Sequence, residues 1–217
     1  MIAAENVFLI LLAAGRSERF GIPNKLEVPF LNKPLGLHVV TAFENIPFKR
    51  RLVVTDGCKL DFLSHHFEVV HNDDPSSGMS QSVKLGVQCA KDEGAEAVLI
   101  ALADMPRVTA AHIYRMLDAA DSADAVVASS DGEKPSPPAL FGRERFDFLL
   151  TLDGDAGARD LVKAGRHVVT APAEPDRYRH ARGSGEAAGA RPRSPRGDHS
   201  CRNASIGFIA AARRAGK

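Results

Sequence analysis

The sequence has no tryptophan, only two tyrosines, and an aromatic content of 6%. That speaks against a surface of stacked aromatics interleaved with basic side chains, of the kind that holds single-stranded nucleic acid. Cysteine is scarce as well. Cys58, Cys89 and Cys201 lie far apart, with no C-x-x-C pair and an odd count. That speaks against both a zinc site and a disulfide framework and fits a reducing cytoplasm. Long apolar runs are missing: the longest, "VFLILLAA" from Val7, is far too short to span a bilayer. No basic region precedes it and "GRSERFG" follows at once, so it reads as a buried strand, not a signal-peptide core, and no membrane partner is expected. The chain also lacks GxGxxG and the Walker GK[ST], so neither the dinucleotide nor the P-loop fingerprint is present.

The missing net charge is deceptive. The total of +1 joins residues 1–176, with 18 Lys/Arg against 25 Asp/Glu, to residues 177–217, with 10 against 2. A basic block of this kind leaves open an arm for RNA or acidic lipid, but the body gives no reason to expect nucleic acid. The length of 217 residues suits one domain with a tail. The boundary is drawn at residue 176, and the Arg/Gly/Pro-rich composition of 177–217 favours disorder.

Apolar runs of strand length recur at "VFLILLA" (7–13), "RLVVT" (51–55), "AVLIALA" (97–103) and "ADAVVAS" (123–129). Helical spacing separates them. In "PLGLHVVTAFEN" Pro34 sits near a first turn. "SQSVKLGVQCAKDEG" puts Val83, Val87 and Ala90 on one face and stops at Gly94, and "TAAHIYRMLDAA" starts from a Thr109 cap. Strands alternating with helices predict an α/β domain with a mostly parallel sheet. The stretch "DGEKPSPPALFG" (131–142) carries three prolines and is expected to be an ordered loop leading to a short strand. No internal repeat is found.

A doubly wound sheet binds ligands at the carboxyl ends of its strands, which directs attention to "AAGRSERFG", "TDG" and "ADMP". In "LLAAGRSERFGIPNK" (11–25) a buried strand opens into a small-residue turn followed by two arginines and a lysine. Small residues let backbone N–H groups approach a phosphate or base, and the cations neutralise a polyphosphate. Read without further context, the same stretch also suits an ordinary turn with solvated arginines. His65 and His66 suggest a metal, but adjacent histidines point apart on a strand and have no carboxylate or cysteine near in sequence, so a solvated loop is the reading there.

Taken together, "LAAGRSERFG…NK", "NDDPSSGMSQSVKLG", "ADMP" and "PPALFGRERFDFLLTLDGDAGAR" resemble, in order and at family spacing, the motifs of the molybdenum cofactor nucleotidyltransferases. The likeness covers residues 7 to about 165. The resemblance implies a Rossmann-like three-layer nucleotidyltransferase fold. It also implies an Mg²⁺-dependent reaction in which the terminal phosphate of molybdopterin attacks the α-phosphate of a nucleoside triphosphate and releases pyrophosphate. The guanylyltransferase branch reads LAGG where this chain has Ala13 and Ala14, which favours CTP over GTP.

By the same resemblance, Arg19 and Lys25 would embrace the β- and γ-phosphates, and Asp104 would hold Mg²⁺. Asp104 also suits a turn or cap residue before Pro106. Leu12, Ala13, Ala14 and Gly15 would face the nucleotide. Gly78, Ser80 and Ser82 would join them, the two serines donating to ribose or base while also capping a helix. Pro138, Gly154, Asp155, Gly157, Ala158 and Arg159 would lie on the pterin side, Asp155 and Arg159 equally suiting a local ion pair. A molybdoenzyme or its chaperone would receive the product. The departures in the body, Phe20 for a usual Met and Asp73 after Asn72, remove no charge the chemistry needs. Two other readings use the same residues: a transferase for another acceptor such as a sugar phosphate, and a non-catalytic nucleotide- or pterin-binding protein.

The family usually ends in a D-[IV]-D-T-P-x-D-L segment whose aspartate helps hold the metal, and nothing after Pro175 reads that way. Allowed codons for "RYRHARGSG" (177–185), shifted by one base, spell D-I-D-T-P-E-D-L. Residues 177–217 are therefore read as out-of-frame translation, with the second metal carboxylate lost from the chain as written.

Overall fold

A computed structural model describes residues 1–14, 24–74, 77–154 and 158–170. In chain order the elements are β1 (Val7–Leu12), a small hairpin of β2 (Pro29–Phe30) and β3 (Lys33–Pro34), α1 (Leu35–Phe43), β4 (Arg50–Thr55), β5 (Glu68–His71) and α2 (Met79–Asp92). There follow β6 (Ala97–Leu102), α3 (Ala110–Ala119), β7 (Val126–Ser130), β8 (Pro135–Gly142), α4 (Phe146–Thr151), α5 (Arg159–Ala164) and β9 (Arg166–Val169).

All six residues of β1 are buried. A strand covered on both faces reads as a continuous apolar run, not an alternation, and that is how β1 looks in the sequence. Its odd residues, Val7, Leu9 and Leu11, pack with Val39, Val40 and Phe43 of α1 and with Ile113 and Met116 of α3. Its even residues, Phe8, Ile10 and Leu12, pack with Val83, Val87 and Ala90 of α2 and with Phe146 and Leu149 of α4. Helices thus cover both faces, giving three layers. The strand order is β5-β4-β1-β6-β8-β7-β9. Every neighbouring pair is parallel except those made by β8, which runs antiparallel to β6 and β7. The chain builds outward from β1 through β4 to β5, then crosses to the other side of β1 to form β6. β1 and β6 therefore flank the point where the winding reverses.

The expected helices form where their apolar spacing put them. Thr109 caps α3, its side chain accepting from His112 N. Gly94, at φ +64°, stands just past α2 and takes the left-handed conformation that ends a helix. The strand expected at 123–129 begins only at Val126.

The proline-rich stretch differs from expectation: residues 135–142 form one strand of eight residues. Prolines are tolerated there because β6 pairs with β8 only over Ala139–Gly142, while β7 pairs with Ser136 and Pro135 across a register shift at Ala128/Ser129. Pro137 and Pro138, joined by a cis bond, fall at that shift, where no ladder hydrogen bond needs their missing N–H. The short strands β5 and β9 edge the sheet and carry too little apolar periodicity to announce themselves.

Close packing of α2 on β1 depends on Gly86. A Cβ there would lie 2.6 Å from Ile10 Cγ2 and 2.9 Å from Ile10 Cδ1. Glycine to alanine inside a helix ordinarily stabilises by up to about 1 kcal/mol. Here the sign reverses: Gly86→Ala should destabilise by about 1–3 kcal/mol as an overpacked core. Urea unfolding checks this through a lower midpoint at unchanged slope.

Candidate functional site

At the reversal point the strand ends are stitched one residue beyond the strands themselves. Ala13 N donates to Val54 O at 2.8 Å and Ala103 N donates to Leu12 O at 3.0 Å. Leu12 and Ala13 are buried while Ala14 is partly exposed. Gly15 and Arg19 lie outside the described residues. The chain is described again from Asn24, whose side chain accepts from Leu26 N at 3.0 Å and starts a 3₁₀ turn over Lys25–Glu27. Leu26 is buried and acts as the anchor of that turn.

This anchoring sets Lys25 beside Asp104, two residues past the end of β6. Lys25 Nζ donates to Asp104 Oδ2 at 2.5 Å across 79 residues of sequence, with side-chain exposures of 38% and 31%. The pair is open on one side and sits where an open α/β sheet takes its ligand. A pair this exposed contributes little to folding, about 1 kcal/mol or less, so its position is not explained by stability.

A second group of ties fixes the start of α2. Asn72 is buried; its N donates to Thr55 O at 2.9 Å, its Nδ2 donates to Ser82 Oγ at 3.0 Å, and its Oδ1 accepts from Asp74 N at 3.0 Å. Thr55 Oγ1 accepts from Gly57 N and Cys58 N. Gly78, at φ +78°, takes the cap position of α2 with no side-chain capping bond. Ser80 and Ser82 lie within α2, past that cap position. Both serines are turned inward: Ser80 Oγ donates to Ser77 O at 3.2 Å and Ser82 Oγ accepts from Asn72. The role of Asn72 was missed in the sequence, where it marked only the start of a motif.

Two motifs far apart in the chain do meet. Ser80 N donates to Gly154 O at 3.2 Å, joining the start of α2 to the turn before α5. Gly154 has φ +56° and its N donates to Asp153 Oδ1. Arg159 opens α5; Asp155 and Gly157 lie outside the described residues. Because β8 is antiparallel, Pro138 stands toward the carboxyl ends of the parallel strands, beyond the last β6 pairing at Ile100↔Ala139.

Cys58 and Cys89 are free, and burial pushes both thiols up from the usual range, keeping them protonated. The histidine expectation is refined by the fold: His65 Nδ1 lies 2.8 Å from Glu44 Oε2, a carboxylate near in space though not in sequence. Among the described residues no three His, Cys, Asp or Glu side chains cluster as a metal site. No helix of the described residues is long and apolar enough to cross a membrane. A cavity of about 330 Å³ opens at the amino end of β7, lined by Asp121, Asp124, Arg145 and Arg166. Its arginines are already paired with its own aspartates, so it offers no charge to a phosphate.

Residues 9–170 match the MobA-like NTP transferase domain. The chain belongs to this family. It is a nucleotidyltransferase of the MobA-like type, and its three-layer, mostly parallel architecture is the Rossmann-like fold of such enzymes. The chain is 32% identical over 169 residues to the purine catabolism protein PucB of Bacillus subtilis, covering 72% of this chain and 80% of that protein. Among solved structures it is similar to the Mycobacterium tuberculosis Rv0371c homologue from Mycobacterium sp. strain JC1, at 26% identity and TM-score 0.61, over 76% of this chain and 86% of that one. The manganese complex of Rv0371c from Mycobacterium tuberculosis shares the fold, at 23% identity and TM-score 0.57, over 76% and 88% of the two chains.

The inward hydroxyls carry a testable consequence. Ser82→Ala leaves Asn72 Nδ2 buried without its partner and should cost about 1–3 kcal/mol of stability. Calorimetry should show that loss while the KM for nucleotide stays within about twofold, since the Ser82 side chain is buried and turned toward Asn72.

Proposed function

We propose that this chain transfers CMP from CTP to the terminal phosphate of molybdopterin. A phosphate oxygen of the acceptor bonds to the α-phosphorus of CTP as the bond from that phosphorus to the bridging oxygen breaks, and pyrophosphate leaves with the electron pair. The observation that carries the reading is the Lys25–Asp104 pair at the winding reversal. It provides one cation for a polyphosphate and one carboxylate for a cation, next to a turn of small residues. The acceptor is already an ionised phosphate, so no general base is needed; alignment and charge neutralisation are what the site must supply.

Asp104 suits a divalent ion of the magnesium kind, which keeps several waters and is bound through one or two carboxylates plus substrate phosphates. A single carboxylate beside a triphosphate meets that description, and Asp104 would hold the ion. When bound, the ion neutralises charge on the phosphates. Lys25 would exchange Asp104 for a phosphate oxygen and steady the leaving pyrophosphate, with Arg19 assisting it. Ala13 and Ala14, and the PPALF and GDAGAR segments, support CTP and the pterin acceptor over GTP or a sugar phosphate. Gly154, Asp155, Gly157, Ala158, Arg159 and Pro138 would face that acceptor, and a molybdoenzyme or its chaperone would take the product. Residues 177–217 read as an out-of-frame replacement of a segment that carried a second metal carboxylate, and the domain ends near residue 176.

Pyrophosphate release with molybdopterin and Mg²⁺ should be at least tenfold faster with CTP than with GTP; equal rates would overturn the branch assignment. Lys25→Met and Asp104→Asn should each lower kcat/KM about 10²–10³-fold, the usual loss for one charge-stabilising group. A chain carrying D-I-D-T-P-E-D-L from position 177 should turn over faster than the chain as written.

A further inference from the structure

One buried polar cluster has no part in the chemistry described so far. His112, in the first turn of α3, is 3% exposed, and its Nε2 lies 2.6 Å from Ser129 Oγ near the end of β7. Arg115 Nη2 lies 3.1 Å from His112 Nδ1, and Ser129 Oγ lies 3.5 Å from Met116 Sδ. A guanidinium can only donate, so Nδ1 must accept. The proton is therefore on Nε2 and is donated to Ser129, whose own hydroxyl proton points to the Met116 sulfur. The chain of donors has one direction and no spare proton position.

The two ends of this bond belong to different sides of the site. α3 begins six residues after Asp104, through a turn closed by Val108 N donating to Met105 O. Ser129 sits at the β7–β8 register shift, paired with Ser136 immediately before Pro137 and Pro138. Its neighbour Ser130 accepts through its carbonyl from Thr170 N and Thr170 Oγ1, where the chain leaves β9. No ladder bond links β6 to β8 at the prolines, so the backbone does not fix their separation there.

We propose that His112 is a positioning residue: by clasping Ser129 it sets the Asp104 turn against the proline end of β8, and so aligns the nucleotide side with the acceptor side. The inference rests on the acceptor lying beside β8, as proposed above. It has a built-in acid limit. Burial and the Arg115 charge hold the His112 ring below the ordinary imidazole range. Protonation would place a second N–H against the guanidinium and break the direction of the chain. The other charged groups of packed elements are engaged elsewhere. On β9, Arg166 binds Asp121 and Ala119 O, and His167 binds Val162 O; Asp131, after β7, accepts from the N–H groups of Glu133 and Lys134. With a lowered folded-state value, the stabilisation is whole above the ordinary imidazole value of about 6.5 and is lost as pH falls below it.

The test uses the full chain, with His112→Asn, Ser129→Ala and the hydroxyl-retaining Ser129→Thr. The expected result is a rise of about tenfold to a hundredfold in the acceptor KM for His112→Asn and Ser129→Ala. The nucleotide KM should stay within twofold, Ser129→Thr should stay near the parent, and the acid limb of the parent's pH profile should be absent in His112→Asn. Amide NMR of the folded variants should show Asp104, Ser136 and Ala139 shifted together. Equal changes in both KM values, or folded variants in which those three amides do not move, would overturn the proposal. Should neither the parent chain nor the chain carrying D-I-D-T-P-E-D-L from position 177 turn over acceptor, the proposed activity fails, and the amides alone then decide the clasp.

Discussion

The structure depends on burying β1 completely. A six-residue strand with apolar side chains on both faces and a parallel neighbour on each edge can be satisfied only by helices above and below. Burial of its side chains, at about 1.5–3 kcal/mol for each of the larger ones, supplies much of the drive that fixes the layers. The strand is equally decisive for chemistry. Neighbours built to one side and then the other place the winding reversal between β1 and β6, where an open α/β sheet takes its ligand. Lys25 and Asp104 meet there because Leu26 anchors one and the end of β6 presents the other.

A rigid centre suits a reaction that brings two anions together. The nucleotide is proposed to be met by residues at the ends of β1 and β6. The acceptor is proposed to be met by the β8 prolines and the turn before α5, elements joined to the centre by the β6–β8 ladder over Ala139–Gly142 and by the bond from Ser80 N to Gly154 O. Two buried polar side-chain links brace the surrounding elements. Asn72 with Ser82 ties the ends of β4 and β5 to α2, and His112 with Ser129 ties α3 to β7. Each is satisfied at both ends. Losing one partner therefore costs more than the bond itself, because a polar atom is left buried.

Much of this was legible in the sequence, for physical reasons. β1, β4 and β6 are short apolar runs because they are covered on both faces, and α2 and α3 show their buried stripes and end signals. Lys25 and Asp104 were each named from motifs, yet their pairing across 79 residues needed the fold. β8 was hidden by its prolines, whose missing donors matter only if a neighbour needs them, and that depends on register. Asn72 and His112 were hidden because a polar residue gives no sign in sequence of whether its partner is water or a buried hydroxyl. The resemblance named the family that the comparisons then bore out.

Nucleotide is proposed to bind at the winding reversal between β1 and β6. Following backbone amide signals while titrating the chain with CTP and Mg²⁺ tests it most directly. Shifts should concentrate at Ala13, Ala14, Lys25, Ala103 and Asp104, and Asp104→Asn should weaken the response. Shifts centred instead on Asp121, Asp124, Arg145 and Arg166, at the opposite end of the sheet, would contradict it.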